Sequence, residues 1–117
     1  MWSRLGRRID IEADQRLARL GLLAPPTGFF QAPGALAAVH VPIRVWVGSA
    51  DEITPPAQSE WLAQAMLGWK TVDIRVTDGA GHFSFMDHPP PKTLEPLQDK
   101  QAFLRGYSNE VCQFVRG

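Results

Sequence analysis

Two loops of this 117-residue sequence carry side chains that could perform acid–base chemistry together. Residues 48–56 place Asp51 directly after an apolar stretch, and residues 78–85, with the sequence DGAGHFSF, present His82 after two glycines that allow a sharp turn. An aspartate beside a histidine can fix the tautomer of the imidazole and stabilise its protonated form, as a general base requires. The pair is separated by 31 residues, which leaves room for one helix and one strand.

Each loop taken alone also has a less specific interpretation. Asp51 or Thr54 could simply cap the helix that follows, because side-chain oxygens at such positions accept hydrogen bonds from the first free N–H groups of a helix. Glu52 is an alternative acid next to Asp51. His82 could be a solvated surface residue, as loop histidines often are. The two loops together favour the catalytic interpretation over these alternatives.

The elements that must position these loops alternate between strands and helices. Apolar runs and period-two alternation predict strands, while apolar residues at helical spacing predict amphipathic helices. The predicted strands cover residues 17–24, 41–47 and 71–78, and the predicted helices cover residues 57–67 and 97–115.

Strands that alternate with helices predict an α/β fold with parallel pairing. Right-handed crossovers place the three strands in sequential order, in a small sheet with flanking helices. Both loops then follow the carboxyl ends of neighbouring strands, where open α/β sheets bind their ligands. We therefore expect Asp51 and His82 to lie close together at one end of the sheet.

Three details of these elements are also expected. Residues 34–39 are predicted to form one or two helical turns, and Gly68 is predicted to end the helix over 57–67. The strand over 71–78 has an apolar face, which includes Val76 and is expected to point inward, and a polar face. One polar face indicates a strand near the margin of its sheet.

The composition describes an ordinary globular domain and excludes several kinds of partner. Hydrophobic residues make up 44% of the sequence, and twelve basic residues balance twelve acidic ones. A balanced charge gives no net field to recruit nucleic acid or an anionic membrane. No cluster of cysteine and histidine has zinc-ligand spacing, and no glycine-rich phosphate loop is present, so neither a metal nor another cofactor is expected.

The same sequence features predict a cytoplasmic protein. Cys112 is the single cysteine, so an intrachain disulfide is impossible. Residues 1–8 lack the apolar core of a signal peptide, and no apolar run approaches the roughly 20 residues of a membrane span. We expect an N-terminal arm over residues 1–13 and one domain over residues 14–117.

The segments VPIRVWVGSADEITPP and DGAGHFSF, together with the helix between them, resemble the last third of an α/β-hydrolase. Within that superfamily the likeness is to the dienelactone hydrolase-like group, with its lipase and acetylhydrolase relatives. LGLLAPPTGFF resembles the strand before the acid-bearing one, and QDKQAFLRGYSNEVCQFV resembles the closing helix. The resemblance implies a partial α/β-hydrolase fold and, in intact relatives, cofactor-free hydrolysis of small-molecule esters or lactones. Asp51 matches the triad acid of the family, and His82 matches the triad histidine.

The nucleophile of such a triad is not recognisable in this sequence. It should precede Asp51 on a G-x-S-x-G-type elbow, but the only earlier serines are Ser3 and Ser49, and neither stands on such an elbow. The oxyanion hole would also use upstream backbone N–H groups. The resemblance therefore implies a truncated carboxylic ester hydrolase that is inactive alone, whose nucleophile could come from a partner chain.

Two alternatives remain open. An independent enzyme could use Ser84 or Cys112 as its nucleophile, although Cys112 follows His82 on the predicted terminal helix, which is the wrong place for the family. The chain could instead be a non-catalytic oligomerising or interaction module derived from a hydrolase. In that case the apolar strand over 17–24 would be an open sheet edge, a template for pairing with a second copy in a homo-oligomer, most simply a two-fold dimer.

Overall fold

The computed structural model describes residues 12, 14–67 and 72–117. Within these residues the chain forms one sheet whose strands are all parallel, in the order β1-β2-β3. The elements are β1 (Leu20–Leu23), a 3-10 helix (Thr27–Gln31), β2 (Ile43–Gly48), α1 (Pro56–Ala65), β3 (Val72–Thr77) and α2 (Lys100–Arg116). The predicted α/β class, with three parallel strands in sequential order and flanking helices, is confirmed.

The core lies between the sheet and α1. Ile43 and Val45 of the central strand meet Leu62 and Met66 of the α1 segment, and all four side chains are at most 3% exposed. Residues of β1 and β3 at the same register extend this apolar face on either side of β2. Alternation along the strand explains the arrangement, because every second side chain of β2 points to α1.

The opposite face of the sheet is covered by α2. Trp46, which alternation places on this face, is 2% exposed and contacts the rings of Tyr107 and Phe114 edge to face, at 5.9 and 5.8 Å between ring centroids. Arg44 lies beside it, with its guanidinium 4.7 Å from the ring centroid of Phe114 and its Nε 2.8 Å from Asp73. The terminal helix is thus held by aromatic edges and by the Arg44 guanidinium over Phe114, while the Arg44–Asp73 ion pair joins β2 to β3.

Several predicted boundaries differ from the structure. Residues 34–39 form hydrogen-bonded turns and no helix, and the positive φ of Gly34 (77°) takes the first of these residues out of helical geometry. A 3-10 helix forms earlier, at Thr27–Gln31. The helix predicted over 57–67 ends at Ala65.

Other predictions on these elements concern residues 1–13, Gly68 and Val76. Gly68 and most of the predicted N-terminal arm over residues 1–13 lie outside the described residues. The marginal position of β3 is confirmed, since it pairs only with β2 within the described part of the chain. The inward position of Val76 is wrong, because this residue of an edge strand is 53% exposed.

Candidate active site

The two loops identified from the sequence meet at the carboxyl end of the sheet. Gly48 ends β2 opposite Thr77, the last residue of β3, so both strands lead into their loops at the same level of the sheet. The backbone N–H of Ser49 donates to the carbonyl of Thr77 at 3.0 Å, and that of Ala50 donates to the carbonyl of Ala80 at 2.9 Å. Backbone hydrogen bonds therefore continue beyond the paired strands and join the acid loop to the histidine loop.

A side-chain contact reinforces this junction. The Ser49 hydroxyl accepts a hydrogen bond from the Gly79 N–H at 2.8 Å and donates to Asp78 Oδ1 at 3.2 Å. Gly79 has a φ of +80°, in the left-handed region that favours glycine, and this turns the chain sharply toward His82.

Asp51 and His82 are in direct contact. Asp51 Oδ2 lies 2.9 Å from His82 Nδ1. The predicted proximity of the two side chains at the carboxyl ends of neighbouring parallel strands is therefore confirmed. Glu52, the alternative acid, is exposed, and among the described residues it makes no hydrogen bond to His82.

The Asp51 carboxylate is fully shielded from solvent and bound by its own loop. Its Oδ1 accepts hydrogen bonds from the N–H groups of Ile53 at 2.9 Å and Thr54 at 2.8 Å. Helix capping does not explain these contacts, because α1 begins after Pro55, and no side chain caps it. Burial by itself raises the pKa of Asp51, but the hydrogen bonds from Thr54, His82 and Ile53 outweigh burial, so its pKa lies below the ordinary value.

Thr54 is a third member of the site that the sequence suggested only as a possible helix cap. Its buried hydroxyl lies 3.1 Å from Asp51 Oδ2, 3.0 Å from His82 Nδ1 and 2.9 Å from the carbonyl oxygen of Ala24. The hydroxyl has one proton to donate and can also accept, so it can donate to a carbonyl or carboxylate while accepting from the imidazole. Thr54 thereby ties the end of β1 to the Asp51–His82 pair.

These contacts define the tautomer of His82. Because ionised Asp51 only accepts hydrogen bonds, Nδ1 must carry the proton, and Nε2 then carries the free lone pair. Within the described residues Nε2 has no hydrogen-bond partner, and the side chain is 24% exposed. Phe83 contacts the imidazole edge to face at 4.9 Å between ring centroids. Nε2 of His82 is therefore available to accept a proton from a group that none of these residues supplies.

Neither alternative nucleophile is hydrogen-bonded to His82 among the residues that the structure describes. Ser84 is 1% exposed, and its hydroxyl donates to the Glu95 carboxylate, at 2.5 and 2.9 Å from the two oxygens. Cys112 lies exposed on α2. In the same ranges, no group of three or more acidic, histidine or cysteine residues is arranged to hold a metal ion.

None of the helices over the described ranges has both the length and the apolar character that crossing a bilayer requires. The cytoplasmic location stays a prediction.

Comparisons with known proteins show a structural likeness to an esterase. No family model and no curated protein matches the sequence. Among solved structures, a propionate-bound thermophilic esterase from the planctomycete Thermogutta terrifontis matches with a TM-score of 0.43 and 16% identity. The match covers 92% of this chain and 47% of the esterase, so the chain spans about half the length of that enzyme. A likeness at this level does not assign a family.

Proposed function

We propose that this chain is the acid- and histidine-bearing part of an α/β-hydrolase of the dienelactone hydrolase-like type, acting on small esters or lactones. The observation that carries the proposal is the 2.9 Å contact between Asp51 and His82 Nδ1 at the carboxyl ends of neighbouring parallel strands. This contact leaves Nε2 of a partly exposed imidazole free to accept a proton, as the base of a hydrolytic triad does.

The chemistry assigned to the pair is a two-stage acyl transfer. His82 Nε2 removes the proton of a hydroxyl nucleophile while the nucleophile oxygen forms a bond to the substrate carbonyl carbon. The imidazolium, stabilised by ionised Asp51, then gives this proton to the leaving alkoxide as the carbon–oxygen bond breaks. Water, deprotonated in the same way by Nε2, then attacks the acyl carbon, and the proton returns to the nucleophile oxygen as its bond to that carbon breaks and the acid is released.

The nucleophile must come from outside these 117 residues. No serine before Asp51 stands on a G-x-S-x-G-type elbow, and the Ser84 hydroxyl donates its proton to the Glu95 carboxylate. A partner chain that brings a nucleophile elbow and an oxyanion hole to Nε2 would complete the site. Alone, these residues are expected to hydrolyse no ester, because an acyl-enzyme cannot form.

The proposal is tested by combining two measurements. Proton NMR of wild type at neutral pH should show a downfield, slowly exchanging Nδ1–H of His82 that is absent from Asp51→Asn. In parallel, hydrolysis of an activated aryl ester by residues 1–117 should equal that of His82→Ala. A wild-type spectrum without this signal would contradict the preorganised pair, and a hydrolytic burst abolished by His82→Ala would contradict the missing nucleophile.

The open edge of β1 supports a second candidate function, that of a homo-oligomerising module. Within the described residues β1 pairs only with β2, and Leu23 at its end is 48% exposed. The N–H groups of Leu20 and Ala24 bond to the β2 side, so those of the alternate residues point to the open side. An edge of this kind can pair with a second copy about a two-fold axis.

Light scattering at micromolar concentration tests this second candidate. Wild type should scatter as a dimer, and Leu23→Lys should scatter as a monomer, because a lysine disfavours edge-to-edge pairing. A wild-type protein that scatters as a monomer at this concentration would rule out the homo-oligomerising function.

A further inference from the structure

A short segment of chain crosses behind the turn that carries His82. We use the name strap for residues 95–100, which follow the three consecutive prolines and lead into α2. The histidine turn comprises residues 79–84. Pro96 packs against Gly81, so that a Cβ added at Gly81 would lie 3.2 Å from Pro96 Cγ.

The two ends of the strap make polar contacts with the same turn. At the first end, the Glu95 carboxylate accepts the Ser84 hydroxyl proton. At the other end, the Lys100 ammonium donates to the carbonyl oxygen of Phe83 at 3.4 Å. The strap therefore holds Phe83 and Ser84, the last two residues of the histidine turn, while His82 contacts Asp51.

Ser84 is the link between the strap and His82. Its hydroxyl oxygen accepts a hydrogen bond from the Gly81 N–H at 2.9 Å, and its backbone N–H donates to the Gly81 carbonyl at 3.2 Å. The two bonds close a loop of four residues with His82 inside it. A hydroxyl has a single proton, so an acceptor at Glu95 directs that proton away and keeps a lone pair facing the Gly81 N–H.

We propose that Glu95 is a positioning residue for His82: through the Ser84 hydroxyl it locks the histidine turn and holds the imidazole in contact with Asp51. The inference rests on the proposed function, because it assigns a role within the same site. A carboxylate acceptor makes a stronger hydrogen bond than a neutral one, and Ser84 is 1% exposed, so little water competes for it. Nothing in the local sequence pattern pairs Glu95 with Ser84, which lies 11 residues earlier.

The test follows the Nδ1–H proton of His82 by NMR in matched variants. Glu95→Met keeps the approximate length of the side chain but removes the acceptor, and Ser84→Ala removes the donor. Each should accelerate exchange of the Nδ1–H proton with solvent about tenfold or abolish its signal, as expected when a local closing interaction is lost. Glu95→Gln keeps an acceptor oxygen and should restore most of the protection.

Controls separate positioning from general destabilisation. Glu60→Ala removes an exposed carboxylate of α1 and should leave the exchange rate of the His82 proton unchanged. The double variant Ser84→Ala/Glu95→Met should exchange no faster than either single variant, because both changes break one link. If Glu95→Met is too unstable to measure, Glu95→Ala against wild type decides the question, because Ser84→Ala also removes the acceptor of the Gly81 N–H.

Two outcomes would overturn the inference, and they differ from failure of the proposed function. A folded Glu95→Met or Ser84→Ala protein whose His82 proton exchanges as in wild type would show that Glu95 does not position the histidine. In that case the His82 Nδ1–H signal of wild type would still support the Asp51–His82 pair. If the wild-type protein shows no His82 Nδ1–H signal, both the proposed function and the positioning role of Glu95 are contradicted.

Discussion

Gly48 lies so close to Ala80 that the carbonyl oxygen of Ala80 occupies the space where a Cβ at residue 48 would be. Gly48 is the last residue of β2, and Ala80 comes two residues before His82. The same carbonyl accepts the N–H of Ala50, one residue before Asp51. The acid loop and the histidine loop are therefore in backbone contact at this point, which is possible because glycine has no side chain.

Gly48→Ala should accordingly destabilise the protein and separate the two loops. A methyl group at this position meets backbone atoms, which cannot move aside as a flexible side chain can, so a loss of about 1–3 kcal/mol or more is expected. Urea unfolding followed by circular dichroism gives the free energy of unfolding. A variant as stable as wild type would contradict the close contact.

Gly106→Ala is the matched control for this substitution. Gly106 lies within α2, and apart from its chain neighbours and the backbone of its own helix no described atom lies within 4 Å of the Cβ that alanine would add. Alanine in a helix interior is favoured over glycine by about 0.5–1 kcal/mol, so this variant should be more stable than wild type. The two glycine-to-alanine changes are thus expected to have opposite signs in the same urea experiment.

Ser49→Ala should loosen the junction between the loops without unfolding the sheet. The variant loses the acceptor of the Gly79 N–H and the donor to Asp78, which are exposed contacts worth about 0.5–1.5 kcal/mol in total. Amide hydrogen exchange at Gly79 should become faster in the variant. Ser108→Ala on the exposed side of α2 serves as the control and should leave the exchange of Gly79 unchanged.

The contribution of Asp51 to stability should depend on pH in a defined direction. Its pKa lies below the ordinary value of 3.8, so the native state binds fewer protons than the unfolded state as pH falls toward this value. The stabilisation is complete above pH 3.8 and is lost as the pH falls through the native pKa. At neutral pH, Asp51→Asn should therefore cost about 1–3 kcal/mol, and the difference from wild type should narrow below pH 3.8.

Urea unfolding of both proteins across this pH range measures the effect. Asp87→Asn, at an exposed position two residues after the loop over 78–85, should change stability by less than about 0.5 kcal/mol at any pH. A difference between wild type and Asp51→Asn that stays constant down to about pH 2 would mean that the ionised carboxylate does not stabilise the native state.

Arg44→Lys should weaken the attachment of α2 although the charge is kept. Lysine cannot reproduce the flat guanidinium over Phe114, and the ion pair with Asp73 is partly exposed, so most of the effect should come from the aromatic contact. We expect a loss of about 1 kcal/mol in the free energy of unfolding. Arg105→Lys at an exposed position of α2 is the control and should have almost no effect.

The fold was predictable because its signals are local. Period-two alternation located β2 and β3, and the proline pairs and glycines near their ends fixed the boundaries to within a few residues. Alternation tells which side chains share a face but not how far a helix covers that face, and this explains why Val76 is exposed. Gly34, which adopts a positive φ, was a signal against the predicted helical turns over 34–39.

The site was predictable only in its two principal residues. Asp51 and His82 each follow a strand, and parallel pairing brings such positions together whatever the intervening sequence is. Thr54 and Glu95 depend on distances that the topology does not determine. The hydroxyl of Thr54 bonds to Ala24, 30 residues away, and Glu95 reaches Ser84 through a segment that has no regular secondary structure.

The acid and the histidine are both carried by one β–α–β unit, from Ile43 to His82, which is joined to β1 by the β1–β2 pairing and by the hydrogen bond from Thr54 to Ala24. One contiguous stretch of sequence therefore encodes the whole acid–base pair. Under the proposed function, recombination upstream of Leu20, where β1 begins, would keep every one of these contacts, so the same base could be combined with different nucleophile-bearing segments during evolution.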